Sequence, residues 1–110
     1  MGIKVERIGE DAVIKLSGRL DMNISPDLRK TAVALYTYCD CRNLTIDFTN
    51  VSHIDTAGLA TLLEIFSTAR ERCANLILSG LNERVRYLIE VNGLTGFFRI
   101  ESSEREKSIA

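Results

Sequence analysis

The sequence predicts an α/β domain in the order β-β-α-β-α-β-α-β, with a mixed, mostly parallel sheet and helices packed against it. Three observations carry this. Two short β-branched runs open the chain, two later segments repeat apolar residues at helical spacing, and short continuous apolar runs lie between the helices. A chain of 110 residues supports one hydrophobic core, and no stretch rich in Gly, Pro or Ser divides it. One domain over 1–110 is therefore expected, with its core over about 3–101 and a polar tail over 102–110 that is either a frayed helix or a disordered end.

The runs IKVERI and AVIKLSGRL, separated by GED, read as a hairpin with Gly9 and Asp11 in the turn. SPDLRKTAVALYTYC reads as a helix with Ser25 as its N-cap, Pro26 at the first helical position, Asp27 in the first turn, and Leu28, Ala32 and Leu35 on one face. NLTIDF is a strand presenting Leu44, Ile46 and Phe48 to one side, and the polar, Asn-containing TNVSHI after it reads as a loop. From Thr56 the period becomes helical, with Leu59, Leu62, Leu63, Phe66 and Ala69 as the core face, Ala60, Thr61 and Glu64 opposite, and Arg70 and Arg72 at the negative end of the dipole. NLILSGL has the character of a strand buried on both faces. NERVRYLIEVNGL is a helix capped by Asn82 and stopped by Gly93, and FFRI supplies a last strand.

Composition excludes several functions. Fourteen Lys and Arg against fifteen Asp and Glu leave a formal net charge of −1, so no electrostatic footprint for nucleic acid or an anionic membrane is present. No apolar run approaches the roughly 18 to 20 residues of a membrane helix, and MGIKVERIGE has no apolar core of a signal peptide, so the cytoplasm is the expected compartment and direct membrane insertion is not expected. Cys39, Cys41 and Cys73 are an odd set; with His53 they fall short of a zinc pattern, and Cys73 is expected to fill a gap in the core. Ser52, His53 and Asp55 are neighbours in sequence, which does not make a catalytic triad, and no glycine pattern marks a nucleotide loop. The expectation is a non-enzymatic protein with no catalytic residue, no metal and no cofactor.

The stretch VSHIDTAGLATLLEIFSTAR turns from strand character into a helix and sets Asp55, Thr56, Ala57 and Gly58 at the corner. A helix N-terminus has unpaired N–H groups and positive dipole character, so either Asp55 or Thr56 can cap it and an added anion is tolerated there. Gly58 fits a close approach to the sheet. A plain loop-to-helix junction explains these residues, and so does a phosphorylation site at Thr56, where a group of about −1.5 to −2 charge need not unfold the helix.

DFTNVSHIDTAGLATLLEI resembles the signature of the STAS domain, the module of bacterial anti-sigma factor antagonists. GRLDMNISPDL is similar to the hairpin-to-helix segment of that family, and GLNERVRYLIEVNGLTGFFRI to its third helix and last strand. In the antagonist branch, the hydroxyl residue after the Asp of this corner is phosphorylated by an anti-sigma factor that is also a serine/threonine kinase. The resemblance makes that residue Thr56 and that kinase the partner. It implies that Asp55 orients the hydroxyl and caps the helix, and that Asp21 meets the kinase or its nucleotide-bound metal. Ala57 follows Thr56 where many antagonists carry a second hydroxyl, leaving one acceptor. DTAGLATLLE resembles equally the STAS subunits of phospholipid-trafficking ABC transporters, which bind an ATPase subunit.

Two patches complete the expected partner surface. Thr56, Ala60 and Glu64 form one stripe through i, i+4 spacing. Met22, Ile24 and Pro26, after the second strand, form the other, and the resemblance implies that both flank Asp21 and Asp55.

Overall fold

The computed structural model describes residues 2–101. Strands β1 (Gly2–Ile8) and β2 (Asp11–Leu20) are followed by α1 (Ser25–Tyr38), β3 (Asn43–Ile54), α2 (Thr56–Glu71), β4 (Asn75–Ser79), α3 (Glu83–Val91), a short 3-10 turn (Thr95–Phe97) and β5 (Arg99–Glu101). The five strands form one sheet in the order β1-β2-β3-β4-β5. β1 runs antiparallel to β2, and the remaining neighbours are parallel. Each crossover steps one strand further from β1, and right-handed crossovers stepping one way put their helices on one face. Burial agrees: Leu44, Ile46 and Phe48 of β3 are shut away under the helices, while Thr45 and Asp47 between them stay partly exposed.

The hairpin closes through two residues, Gly9 and Glu10, with Gly9 at φ +61°, a conformation that side chains disfavour. Asp11 is not in the turn as its polarity suggested. It opens β2, paired with Ile8, and accepts from Asn43 Nδ2 at 2.8 Å.

TNVSHI is not a loop. β3 continues through it to Ile54, paired with β2 as far as Leu20. The register slips between Lys15 and Ser17 and again between Gly18 and Arg19, each time with one extra residue on β3. Those bulges break the period of two, so that Phe48, Val51 and Ile54 point inward at a spacing of three. Asp47 Oδ1 supports the first bulge by accepting from Thr49 N at 2.9 Å.

Ser25 is not the cap of α1. Ile24 holds that position, and the Asp21 carbonyl serves the first turn by accepting from Ile24 N at 3.2 Å and Ser25 N at 2.9 Å. Ser25 is buried, and its Oγ has no hydrogen-bond partner among the described residues. The expected cap of α3 is present: Asn82 Oδ1 accepts from Val85 N at 2.8 Å, and its Nδ2 donates to the Val51 carbonyl at 3.0 Å. FFRI is divided, with Phe97 in the 3-10 turn and only Arg99–Glu101 in the sheet. Phe97 and Phe98 instead meet Phe66 edge to face, at 5.7 and 5.9 Å between ring centroids. The expectation for the tail at 102–110 lies outside the described residues.

Ile46 has no solvent exposure at the centre of the sheet. Ile46→Ala should cost about 2 to 5 kcal/mol in equilibrium denaturation, because its neighbours cannot all close the cavity.

Candidate functional site

The parallel strands β2, β3 and β4 all end on one rim of the sheet, and the corner at Asp55 lies on it. Leu20 and Ile54 are paired at the ends of their strands, and Asp55 N donates to the Leu20 carbonyl at 3.2 Å. Asp21 and Asp55, the next residues along, therefore leave the sheet side by side.

Asp55, not Thr56, is the cap of α2. Its backbone is extended and its Oδ1 accepts from Gly58 N at 2.9 Å. Thr56 is consequently the first helical residue, exposed, and its hydroxyl makes no hydrogen bond to the described residues. Gly58 allows the close approach. A Cβ there would stand 2.6 Å from the Leu20 carbonyl oxygen and 2.7 Å from Ile54 Cγ1, both inside contact distance.

A groove of about 280 Å³ runs from this corner between α1 and α2, lined by Met22, Pro26 and Arg29 on one side and Ala57, Ala60 and Glu64 on the other. Arg29 Nη1 and Glu64 Oε2 bridge it at 3.2 Å, both about half exposed, a pair worth roughly 0 to 1 kcal/mol. Among the expected partner residues, the structure brings Met22, Ala60 and Glu64 together on this groove, with Thr56, Asp55 and Asp21 at the rim beside it. Ile24 is set apart from this groove but not from Asp21: it packs against the core and lines one hollow with Asp21 and another between β1 and α1. Met22 is 69% exposed.

Thr61 does not face outward with Ala60 and Glu64. It is 6% exposed, on the groove's floor with Ser25, because α2 packs against α1 as well as the sheet and so buries Thr61 and Ile65 in addition to the sheet-facing stripe. Arg29 and Ala57 were absent from the sequence-derived surface. Arg29 lies 35 residues from Glu64, and only helix packing shows that they meet.

His53 belongs to β3 rather than to a loop; Arg84 donates to its Nε2 at 2.8 Å, and Nδ1 lies 3.0 Å from Ser52 Oγ. The three cysteines line a cavity with Arg42 and Arg72 at the opposite end of the sheet. Cys73 is exposed at φ +54° just past α2, so it fills no core gap; Cys41 is the buried one, and burial pushes its thiol up, away from the reactive thiolate. Among the described residues no group of three or more His, Cys, Asp or Glu converges to hold a metal, and no helix is long and apolar enough to cross a membrane.

The arrangement is a rim with two carboxylates and an exposed hydroxyl, continued by a groove of mixed polar and apolar lining. The STAS domain family model matches residues 2–107. The chain belongs to the STAS domain family. It is 33% identical over 101 residues to the anti-sigma-B factor antagonist of Listeria monocytogenes, covering 92% of this chain and 88% of that protein. It is 34% identical over 84 residues to the intermembrane phospholipid transport system binding protein MlaB of Escherichia coli, covering 74% and 79%. Its fold matches the phosphorylated form of the Bacillus cell fate determinant SpoIIAA with a TM-score of 0.77 at 19% identity, covering 98% and 96%.

Gly58→Ala should destabilise the chain by about 1 to 3 kcal/mol, since the new methyl group can be housed only by moving α2 off the Leu20–Ile54 ladder end. Asp55→Ala, which removes only the cap, should cost about 0.5 to 2 kcal/mol in the same denaturation assay.

Proposed function

We propose that this protein is an anti-sigma factor antagonist that docks on a kinase-type anti-sigma factor through the corner and the α1–α2 groove, and is released when the partner phosphorylates Thr56. The observation that carries this reading is the position of Thr56, exposed on the rim beside Asp55 and Asp21 with a hydroxyl that no described residue engages. The similarity to anti-sigma-B factor antagonists over nearly the whole chain supports it.

Charge supplies the switch. A phosphoryl group brings about −1.5 to −2 to the start of α2. The helix N-terminus returns about 0.3 to 1 kcal/mol, enough for the fold to tolerate the group. A partner packed over the same rim must desolvate that charge beside two carboxylates, and like charges juxtaposed in an interface cost several kcal/mol. The fold survives and the complex does not. No cofactor or metal of this chain's own enters the reading, and catalysis rests with the partner.

The similarity to MlaB favours a second reading, in which the same rim and groove hold the ATPase subunit of an ABC transporter continuously. Thr56 is then a contact residue and its modification is dispensable.

Because Asp55 provides the cap, Thr56→Ala should leave stability nearly unchanged, abolish phosphorylation and keep the kinase-type partner bound. Thr56→Glu should weaken binding by about tenfold or more by calorimetry, though less than phosphate does. Equal affinity of the two variants for that partner would count against the switch. Copurification of an ABC ATPase subunit that both variants retain would favour the second reading.

A further inference from the structure

The outer edge of β1 has no strand beside it among the described residues. It runs seven residues without proline or bulge, and Val5 and Ile8 are 42% and 77% exposed. Such an edge offers a row of main-chain donors and acceptors to any strand that reaches it. We propose that its occupant is a second copy of this chain, the two β1 strands pairing antiparallel about a two-fold axis at Val5.

The register follows from the hairpin. A two-residue turn closes on a hydrogen-bonded pair, here Ile8 and Asp11, so the even-numbered residues of β1 direct their main-chain groups at β2 and the odd-numbered ones, Ile3, Val5 and Arg7, direct theirs outward. Pairing centred on Val5 sets Val5 against the second copy's Val5 and Ile3 against its Arg7, using those outward groups in roughly six main-chain hydrogen bonds. Lys4 then falls opposite the second copy's Glu6, and Glu6 opposite its Lys4. These are non-hydrogen-bonded pairs, the kind whose side chains lie closest.

Charge and hydrophobicity both select this partner. Within one chain Lys4 stands opposite Lys15, a like-charge pair, while Lys15 bonds to Glu6 at 3.3 Å. The second copy's Glu6 gives Lys4 its counter-charge. On the other face of β1, Ile3 and Val5 are in register with the buried Leu16 and Ile14, and beside them a groove to α1 is lined by Ile24, Asp27, Lys30 and Thr31. Two copies would join these apolar strips under the paired α1 helices. Pairing of like edges also needs nothing from β5, the opposite edge among the described residues. An isologous pair closes on itself. Its antiparallel geometry sends the two Thr56 rims to opposite ends of a joined sheet, leaving both open.

The test is sedimentation equilibrium of the full chain over a concentration series, with two charge reversals. Lys4→Glu places glutamate opposite Lys15 within the chain, so it should keep or raise the melting temperature, yet it sets Glu against Glu across the dyad. It should weaken the dimer about tenfold or more, and so should Glu6→Lys, which sets Lys against Lys. Mixed together, the two variants regain opposite charges at both positions and should form a heterodimer of near wild-type affinity. A wild-type chain that is monomeric up to several hundred micromolar, a dimer indifferent to Lys4→Glu, or a mixture that fails to restore association would each overturn the proposal.

Discussion

The end of the β2–β3 ladder is the constraint on which the rest of the structure depends. Leu20 and Ile54 pair there, Asp55 N closes on the Leu20 carbonyl, and Gly58 lets α2 rest within contact distance of both strands. One junction thereby fixes three things. It aligns the Asp21 loop with the Asp55 corner, sets the start of α2 on the rim, and brings α2 close enough to α1 to leave a shallow groove between them. A side chain at position 58 would disturb all three together, which is why the smallest residue stands there.

The functional consequence is a division of labour between adjacent residues. Asp55 caps the helix through Gly58 N, so Thr56 is relieved of any structural task and presents its hydroxyl to solvent. Had Thr56 been the cap, its hydroxyl would have been engaged with a main-chain N–H of the first turn. Under the proposed switch, with the cap one residue earlier, added negative charge meets a favourable dipole in the free chain and an unfavourable, desolvated environment in a complex. In that proposal stability and binding respond to the same charge in opposite directions, and that opposition is what a reversible switch requires.

Most of the architecture was legible in the sequence because local chemistry and tertiary packing agree. Pro26 with Leu28, Ala32 and Leu35 specified α1, Asn82 and Gly93 delimited α3, and the run Leu76, Ile77, Leu78 identified a strand buried on both faces. The failures mark places where distant partners decide. TNVSHI is strand because β2 is long enough to pair with it, and its bulges erase the alternation that a strand normally shows. Thr61 looked like a surface residue until α1 packed on it, and Ser25 lost the cap position because the Asp21 carbonyl already serves the first turn. At the site, the sequence pointed to Asp55, Thr56 and Gly58 through helix-terminus chemistry, but Arg29 on the groove and its ion pair with Glu64 depend on how two helices pack.

The central claim is that Thr56 is the group that changes state. Its most direct test is intact mass with site mapping of the protein purified from its own host with phosphatases inhibited, across growth conditions. The account predicts a single added phosphoryl group, located on Thr56, whose occupancy changes with conditions. A chain unmodified in every condition, or one modified at another residue with Thr56 untouched, would contradict it.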